Sequence, residues 1–229
     1  MQPQPSPEVD TPTPSRRIFR SRDSWIVSAL LIIALVFAIP VILRQRVKAM
    51  QTHAVSNSRQ LGMCLFEFES EYGKFPDAST IAAVKAKSGS LLPLGTKTSN
   101  DYFRQLIASG IAQNEQFFYA DIAKVRKPDG LMDPSHAIGK GECGYSYLSG
   151  LSFQGNPSRP IVVTPLIPGT NRSDPKPFEG KAVILKMDNS VTSLPIDKKG
   201  HVFIAGKNLF DPLNPIWEDK PPVIVWPDL

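Results

Sequence analysis

Two cysteines, three histidines and a few acidic turns carry whatever chemistry this 229-residue sequence offers. His53, His136 and His201 stand far apart, whereas metal and general-base sites normally bring their ligands together, so each reads as a surface or hydrogen-bonded histidine. Asp129 and Asp133 in "KPDGLMDP" offer two oxygen ligands, short of the carboxylate count of a calcium loop, and a solvated turn explains them equally well. "GKGECG", from Gly139 to Gly144, spells G-x-G-x-x-G, but no strand leads into it and no helix follows, so the match is one of letters only. The sequence holds no Walker A motif, no H-E-x-x-H and no G-x-S-x-G. The expectation is a protein that is not an enzyme, with no catalytic residue, no cofactor and no metal ligand. Cys64 and Cys143 form a disulfide if the C-terminal part folds back on the segment carrying Cys64 in an oxidising compartment; otherwise Cys64 is a small interfacial residue.

The elements that position these residues begin with one long apolar run. Trp25 to Leu43 carries no charge, and as a helix it spans about 29 Å, close to the roughly 30 Å of a bilayer's hydrocarbon core. Arg44, Arg46 and Lys48 follow where a signal peptide would place small residues for cleavage, so the run reads as a permanent transmembrane helix. Arg16, Arg17, Arg20 and Arg22 on the other flank nearly balance these charges and lean the orientation slightly towards a cytoplasmic N-terminus. Residues 1–15, "MQPQPSPEVDTPTPS", are proline-rich and without large aromatics, a disordered or polyproline-like tail.

Beyond the apolar run the helical pattern persists. Ala54, Ser58, Leu61, Leu65, Phe68 and Tyr72 recur at spacings of three and four and draw one apolar stripe. Only Gly62 interrupts the helix formers, at a cost of about 1 kcal/mol relative to alanine. Pro40 places a kink near the membrane exit. "YGKFPD" ends the helix, Gly73 suiting a left-handed cap and Pro76 barring continuation.

The remainder predicts a small α+β head. "SNDYFRQLIASGI" reads as a helix capped by Ser99 or Asn100, with Phe103, Leu106 and Ile107 facing inward. Strands are expected at "QFFYA", "GYSYLSGL", "PIVVTPL", "KAVILKM", "SVTSLPI", "HVFIAG" and "PPVIVW". Since no convincing crossover helix separates them, the sheet should be mainly antiparallel, with its best hairpin at Asp188-Asn189. The expected organisation is a disordered cytoplasmic tail with a basic flank over 1–24, a transmembrane helix over 25–43, a helical stalk over 44–76 and an extracytoplasmic head over 77–229. The net charge of +5 is scattered, with no block longer than Arg16-Arg17 or Lys198-Lys199, which argues against nucleic acid as a partner.

"SNSRQLGMCLFEFESEYGKFPD" resembles the stalk of type IV pilin-like and type II secretion pseudopilin-like proteins, in which such a segment follows an N-terminal membrane helix. In that register Phe19 falls on the aromatic that begins a mature pilin, Asp23 on the family's acidic fifth residue and Pro40 on its twenty-second-residue proline. "GYSYLSGL", "KAVILKMDNSVTSL" and "NLFDP…PPVIVWP" are similar to the head of the branch marked by His, nine residues, then Asp-Gly. The resemblance implies a pilin-like fold, a structural role in a secretion or pilus-like assembly, an inner-membrane location, and as partners the lipid bilayer with other pilin-like subunits or secretion-platform proteins.

The sequence departs from the pattern at informative places. Ile18 replaces the processing glycine, and its β-branched side chain does not suit a peptidase subsite made for a very small residue, so cleavage before Phe19 is not expected. Arg20-Ser21-Arg22 stands where the family is apolar, and charges of about 2.5–3.5 kcal/mol each at mid-bilayer belong at the interface. Without a freed amine at Phe19, Asp23 loses the partner the family gives its acidic residue and is expected near Arg20 or Arg22. Phe178 stands where the hallmark has His, and Asn189 replaces its Gly while still tolerating a positive φ. The rival expectation, from another class, is an extracytoplasmic ligand-binding or sensing module on an inert anchor.

Overall fold

A computed structural model describes residues 21–152, 154–218 and 220–229, with side chains from Trp25 onward. Helix α1 runs Ser21–Tyr72, α2 Ile81–Ser88 and α3 Ser99–Ala108. The strands are β1 (Ser146–Ser149), β2 (Pro160–Thr164), β3 (Lys181–Lys186), β4 (Val191–Pro195), β5 (Phe203–Ile204), β6 (Lys207–Asn208) and β7 (Val223–Val225). The proline-rich segment 1–15, Ile18 and Phe19 lie outside the described residues.

The chain divides after Arg44. Up to that point α1 is an unbroken helix with Pro40 inside it. Every large apolar residue from Trp25 to Leu43 is at least half exposed or nearly so, Val27 being the least exposed at 49%. A run this long and apolar, exposed among the described residues, has the length and composition of a single membrane span.

Gln45–Leu229 forms the second unit, so the segments expected as stalk and head share one core. The stripe read from sequence is that core's helical wall: Ala54, Ser58, Leu61, Leu65 and Phe68 are buried, while Tyr72 at the end is half-buried and stacks on Phe68. Gly73 closes the helix at φ +80°, its N–H donating to Glu69 O at 2.7 Å.

Opposite the stripe stands a five-stranded sheet of order β4-β3-β2-β1-β7, antiparallel at every pairing. All five residues of β2 and four in succession in β3, Ala182 to Leu185, are buried, so the central strands are covered on both faces rather than alternating in and out. The class is therefore α+β with a pilin-like arrangement: a long N-terminal helix, then a small antiparallel sheet. Six of the seven expected strands are present, but "HVFIAG" contributes only Phe203–Ile204, paired with β6 in a separate two-stranded hairpin.

Three local expectations are corrected. "QFFYA" is a single 3-10 turn, Glu115–Phe118, because Asn114 Oδ1 accepts from Gln116 N at 2.8 Å and starts a turn, leaving Phe118 to stack on Phe103. The N-cap of α3 is Thr98, in a reciprocal capping box with Asp101, rather than Ser99 or Asn100. Those two polar residues bind elsewhere: Ser99 Oγ donates to Tyr145 O at 2.7 Å, and Asn100 Nδ2 to Ile138 O and Gly139 O at 3.2 and 3.1 Å. Finally, α2 fills a stretch with no predicted element; only Val84 of its residues is buried, so it writes no apolar stripe into the sequence.

Candidate functional site

Where α1 meets the β3–β4 hairpin, hairpin side chains press on the helix at Gly62. Lys186 O accepts from Asn189 N at 3.0 Å and Lys186 N donates to Ser190 O at 2.9 Å, so Met187, Asp188 and Asn189 form a three-residue loop. Asn189 closes it at φ +60°, in the left-handed region that this loop class assigns to Gly or Asn. Asp188 Oδ1 accepts from Ser190 N at 2.9 Å and fixes the turn. Asn189 then lies against Gly62 of α1, where a Cβ would run into Asn189 Oδ1 and stand 3.1 Å from Leu185 Cδ1. A larger residue here would have to displace the ends of the Asn189 and Leu185 side chains, so glycine's lower helix propensity is exchanged for close packing. Beside the contact, Met63, Phe66, Glu67 and Asn189 line an open recess of about 470 Å³, with Met63 more than half exposed.

Tyrosines and an asparagine tie α1 and the segment after it to the rest of the unit. Tyr145 Oη donates to Ala54 O at 2.8 Å, and Asn57 Nδ2 donates to Tyr119 O at 2.8 Å. Tyr147 Oη donates to Pro76 O at 3.0 Å just past the helix end. Burial pushes the Tyr145 phenol far up, so these bonds persist at any ordinary pH.

The two cysteines are free and buried, so the pairing considered from sequence is not formed. Cys143 Sγ is instead occupied with Ser99 Oγ at 3.7 Å and Tyr145 O at 3.5 Å. Burial pushes both thiols up to about 11, which makes them inert core residues rather than nucleophiles.

Three carboxylates converge where the sequence offered two. Glu115, Asp129 and Glu142 each place an oxygen within 4.8 Å of the others, whereas Asp133 turns away to His136 Nδ1 at 2.8 Å. Such hard oxygen donors suit a calcium-like cation. Several of their oxygens are already engaged, although Glu142 Oε1 is buried without a hydrogen-bond partner. Glu115 accepts from Ile138 N at 2.6 Å and Gly130 N at 3.0 Å, Glu142 Oε2 from Gly139 N at 2.7 Å, and Arg126 Nη2 lies 3.0 Å from Glu142 Oε1. The cluster thus ties the 129–142 loops to the 3-10 turn. Burial first, then the charges of Glu142 and Asp129, push the Glu115 carboxyl above its ordinary range. Neither glutamate was visible as a partner in the sequence, because an isolated Glu carries no sign of burial.

"GKGECG" belongs to this loop. Gly144 packs so closely on Ala120 that a Cβ would stand 2.7 Å from its side chain, and its N–H donates to Phe118 O at 2.9 Å. The glycine serves close packing on the 3-10 turn. His201 has its own neighbour in Asp197, 3.8 Å away, and His53 lines a recess with Tyr119 and Asp121, so the histidines have separate surroundings.

Of the anchor residues, Pro40 lies within α1 and Asp23 belongs to its first turns, while Ile18 and Phe19 are outside the described residues. Phe178, at the position where the hallmark has His, is fully buried in the core. Comparison of the chain with protein-family models, with curated proteins and with solved structures finds no match.

Proposed function

We propose that this chain is a non-enzymatic, pilin-like subunit that stays anchored in the inner membrane, its N-terminus in the cytoplasm and its α+β unit outside, and serves a secretion or pilus-like assembly through lateral contacts. One observation carries the reading: a single helix supplies both the apolar span and, from Ala54 to Phe68, the wall of the sheet's core. A sensing module on an inert anchor needs no such sharing, since a linker would serve it. The partners are the bilayer and other pilin-like or secretion-platform membrane proteins.

Ile18 before Phe19 supports retention of the N-terminal segment. The test is intact-mass analysis of the membrane-extracted chain, followed by identification of crosslinked partners. A full-length mass and copurifying pilin-like or platform proteins are expected. A chain beginning at Phe19 overturns the retained anchor, and a chain carrying a stoichiometric small molecule with no protein partner favours the sensing module.

A further inference from the structure

The first helical turns of the Gln45–Leu229 unit are surrounded by three open recesses. Lys48, Gln51, Thr52, Val55 and Lys181 line one. Met50 lines the other two, one shared with Tyr119, Asp121 and Lys127 and one with Asp174 and Lys176. Arg46 stands two residues before Lys48 on the same helix, exposed, with Tyr119 near enough to feel its charge. Lysines from three separate parts of the chain thus gather around one stretch of helix, all of them exposed. Asp121 and Asp174 are the carboxylates lining these recesses, and both are half-buried. Among the described residues, none of Arg46, Lys48, Lys127, Lys176 and Lys181 has a carboxylate within 4.0 Å, although six other Lys or Arg residues pair with carboxylates elsewhere on the unit.

The chain itself limits what meets this rim. Lys48 stands five residues past Leu43, the last residue of the apolar run, which is about 7.5 Å along a helix. The headgroup layer on each side of a bilayer is roughly 5–7 Å thick, so Lys48 emerges at its outer edge. Lysine stems are long enough to return their ammonium groups towards phosphates while the methylenes cover apolar surface such as Met50.

We propose that Arg46, Lys48, Lys127, Lys176 and Lys181 form a cationic collar that binds the phosphate headgroups of an anionic lipid leaflet. The inference rests on the membrane-anchored reading of the chain but not on its pilin-like role. A neutral leaflet would leave the five cations uncompensated, whereas an anionic one attracts each of them, with roughly a fivefold gain in local association per cation near the surface. The collar would hold the unit against the leaflet and limit the angles at which a neighbour can reach it.

The full chain in phosphatidylcholine nanodiscs, with or without phosphatidylglycerol, tests this by hydrogen exchange in peptides covering 45–55, 121–127 and 174–181. Exchange several-fold slower in the anionic discs is expected, with the difference lost in molar salt, where screening acts over only about 3 Å. The Lys127→Gln/Lys176→Gln/Lys181→Gln variant should lose most of the difference while β2 and β3 stay protected. If that variant loses core protection too, the salt dependence of the unaltered chain decides. Equal exchange in the two lipids, or a difference indifferent to salt, overturns the collar. Protection that appears in native membranes but not in anionic discs also overturns it and assigns the surface to a protein partner. A chain that fails to enter discs overturns the anchored reading together with the collar, whereas loss of the pilin-like partners alone leaves the collar standing.

Discussion

At the scale of single residues, the acidic cluster makes a pH prediction with a definite sign. The folded Glu115 carboxyl titrates above its unfolded value of about 4.3, because burial disfavours its charge and Glu142 and Asp129 add repulsion. Below both values it is protonated in either state and exerts no penalty. As pH rises past the unfolded value and through the raised folded one, the unfolded chain gives up its proton first, so Glu115's contribution to stability falls across that window. Asp129→Asn removes one repulsive charge and should bring the Glu115 midpoint down while leaving it above the ordinary range, since burial remains the larger cause. NMR titration of the side-chain carbonyl reads both values; an unmoved midpoint would refute the coupling. Arg126, 3.0 Å from Glu142 Oε1, keeps the cluster from carrying its full negative charge.

At the scale of elements, the close approach of α1 to the β3–β4 hairpin can be measured as a coupling. Gly62→Ala adds a helix-favouring residue worth about 1 kcal/mol but drives its Cβ into Asn189 Oδ1. Overpacking of this kind costs about 1–3 kcal/mol, so the net change should be destabilising. Asn189→Gly keeps the left-handed turn and removes a buried oxygen that has no hydrogen-bond partner, so it should be neutral or stabilising alone. Combined, the two substitutions should restore most of the lost stability, a positive coupling in a denaturation double-mutant cycle. Additive effects would mean that the two residues do not press on each other. The helix and this hairpin were both legible in the sequence, the first from its three-and-four spacing and the second from Asp-Asn between two apolar runs. Their contact was not, because Gly62 reads simply as a weak point until the residue above it is known. "QFFYA" misled for a related reason: four apolar letters in five satisfy a strand as well as a turn, and Asn114 as a cap decides only once its side chain is seen to fold onto Gln116. Thr98 does not stand out in the sequence because three consecutive residues, Thr98, Ser99 and Asn100, all have capping side chains, and the reciprocal bond to Asp101 selects among them.

At the scale of the whole molecule, the division after Arg44 predicts that a chain beginning at Gln45 folds without a membrane. Its core is continuous from Ala54 to Val225, and the exposed apolar residues from Trp25 to Leu43 are gone from it. Such a chain should be soluble, with a cooperative thermal transition by circular dichroism; aggregation or a molten spectrum would mean that the unit depends on its anchor. The candidate site was less legible than the fold. Cys64, Cys143 and Gly144 are reactive or motif-like letters that the structure uses for packing, and His136 and His201 each face an aspartate a few residues away, while His53 lines an open recess. The residues that do converge, Glu115 with Glu142 and the scattered lysines around Met50, come from distant segments and share no local spacing.

The wall of the core is also the first part of the unit to be synthesised. Ala54 to Phe68 leave the ribosome roughly 120 residues before Leu185 and Asn189, the residues that cover Gly62. At about 5–20 residues per second the interval is roughly 6–24 s, far longer than a helix needs to form. Vectorial delivery therefore produces a finished helix whose inner face waits for its sheet. During that wait the face is open to holdases and to the faces of other nascent copies. The order of the chain makes the speed of synthesis, as much as final stability, a determinant of how much of this protein reaches its folded state.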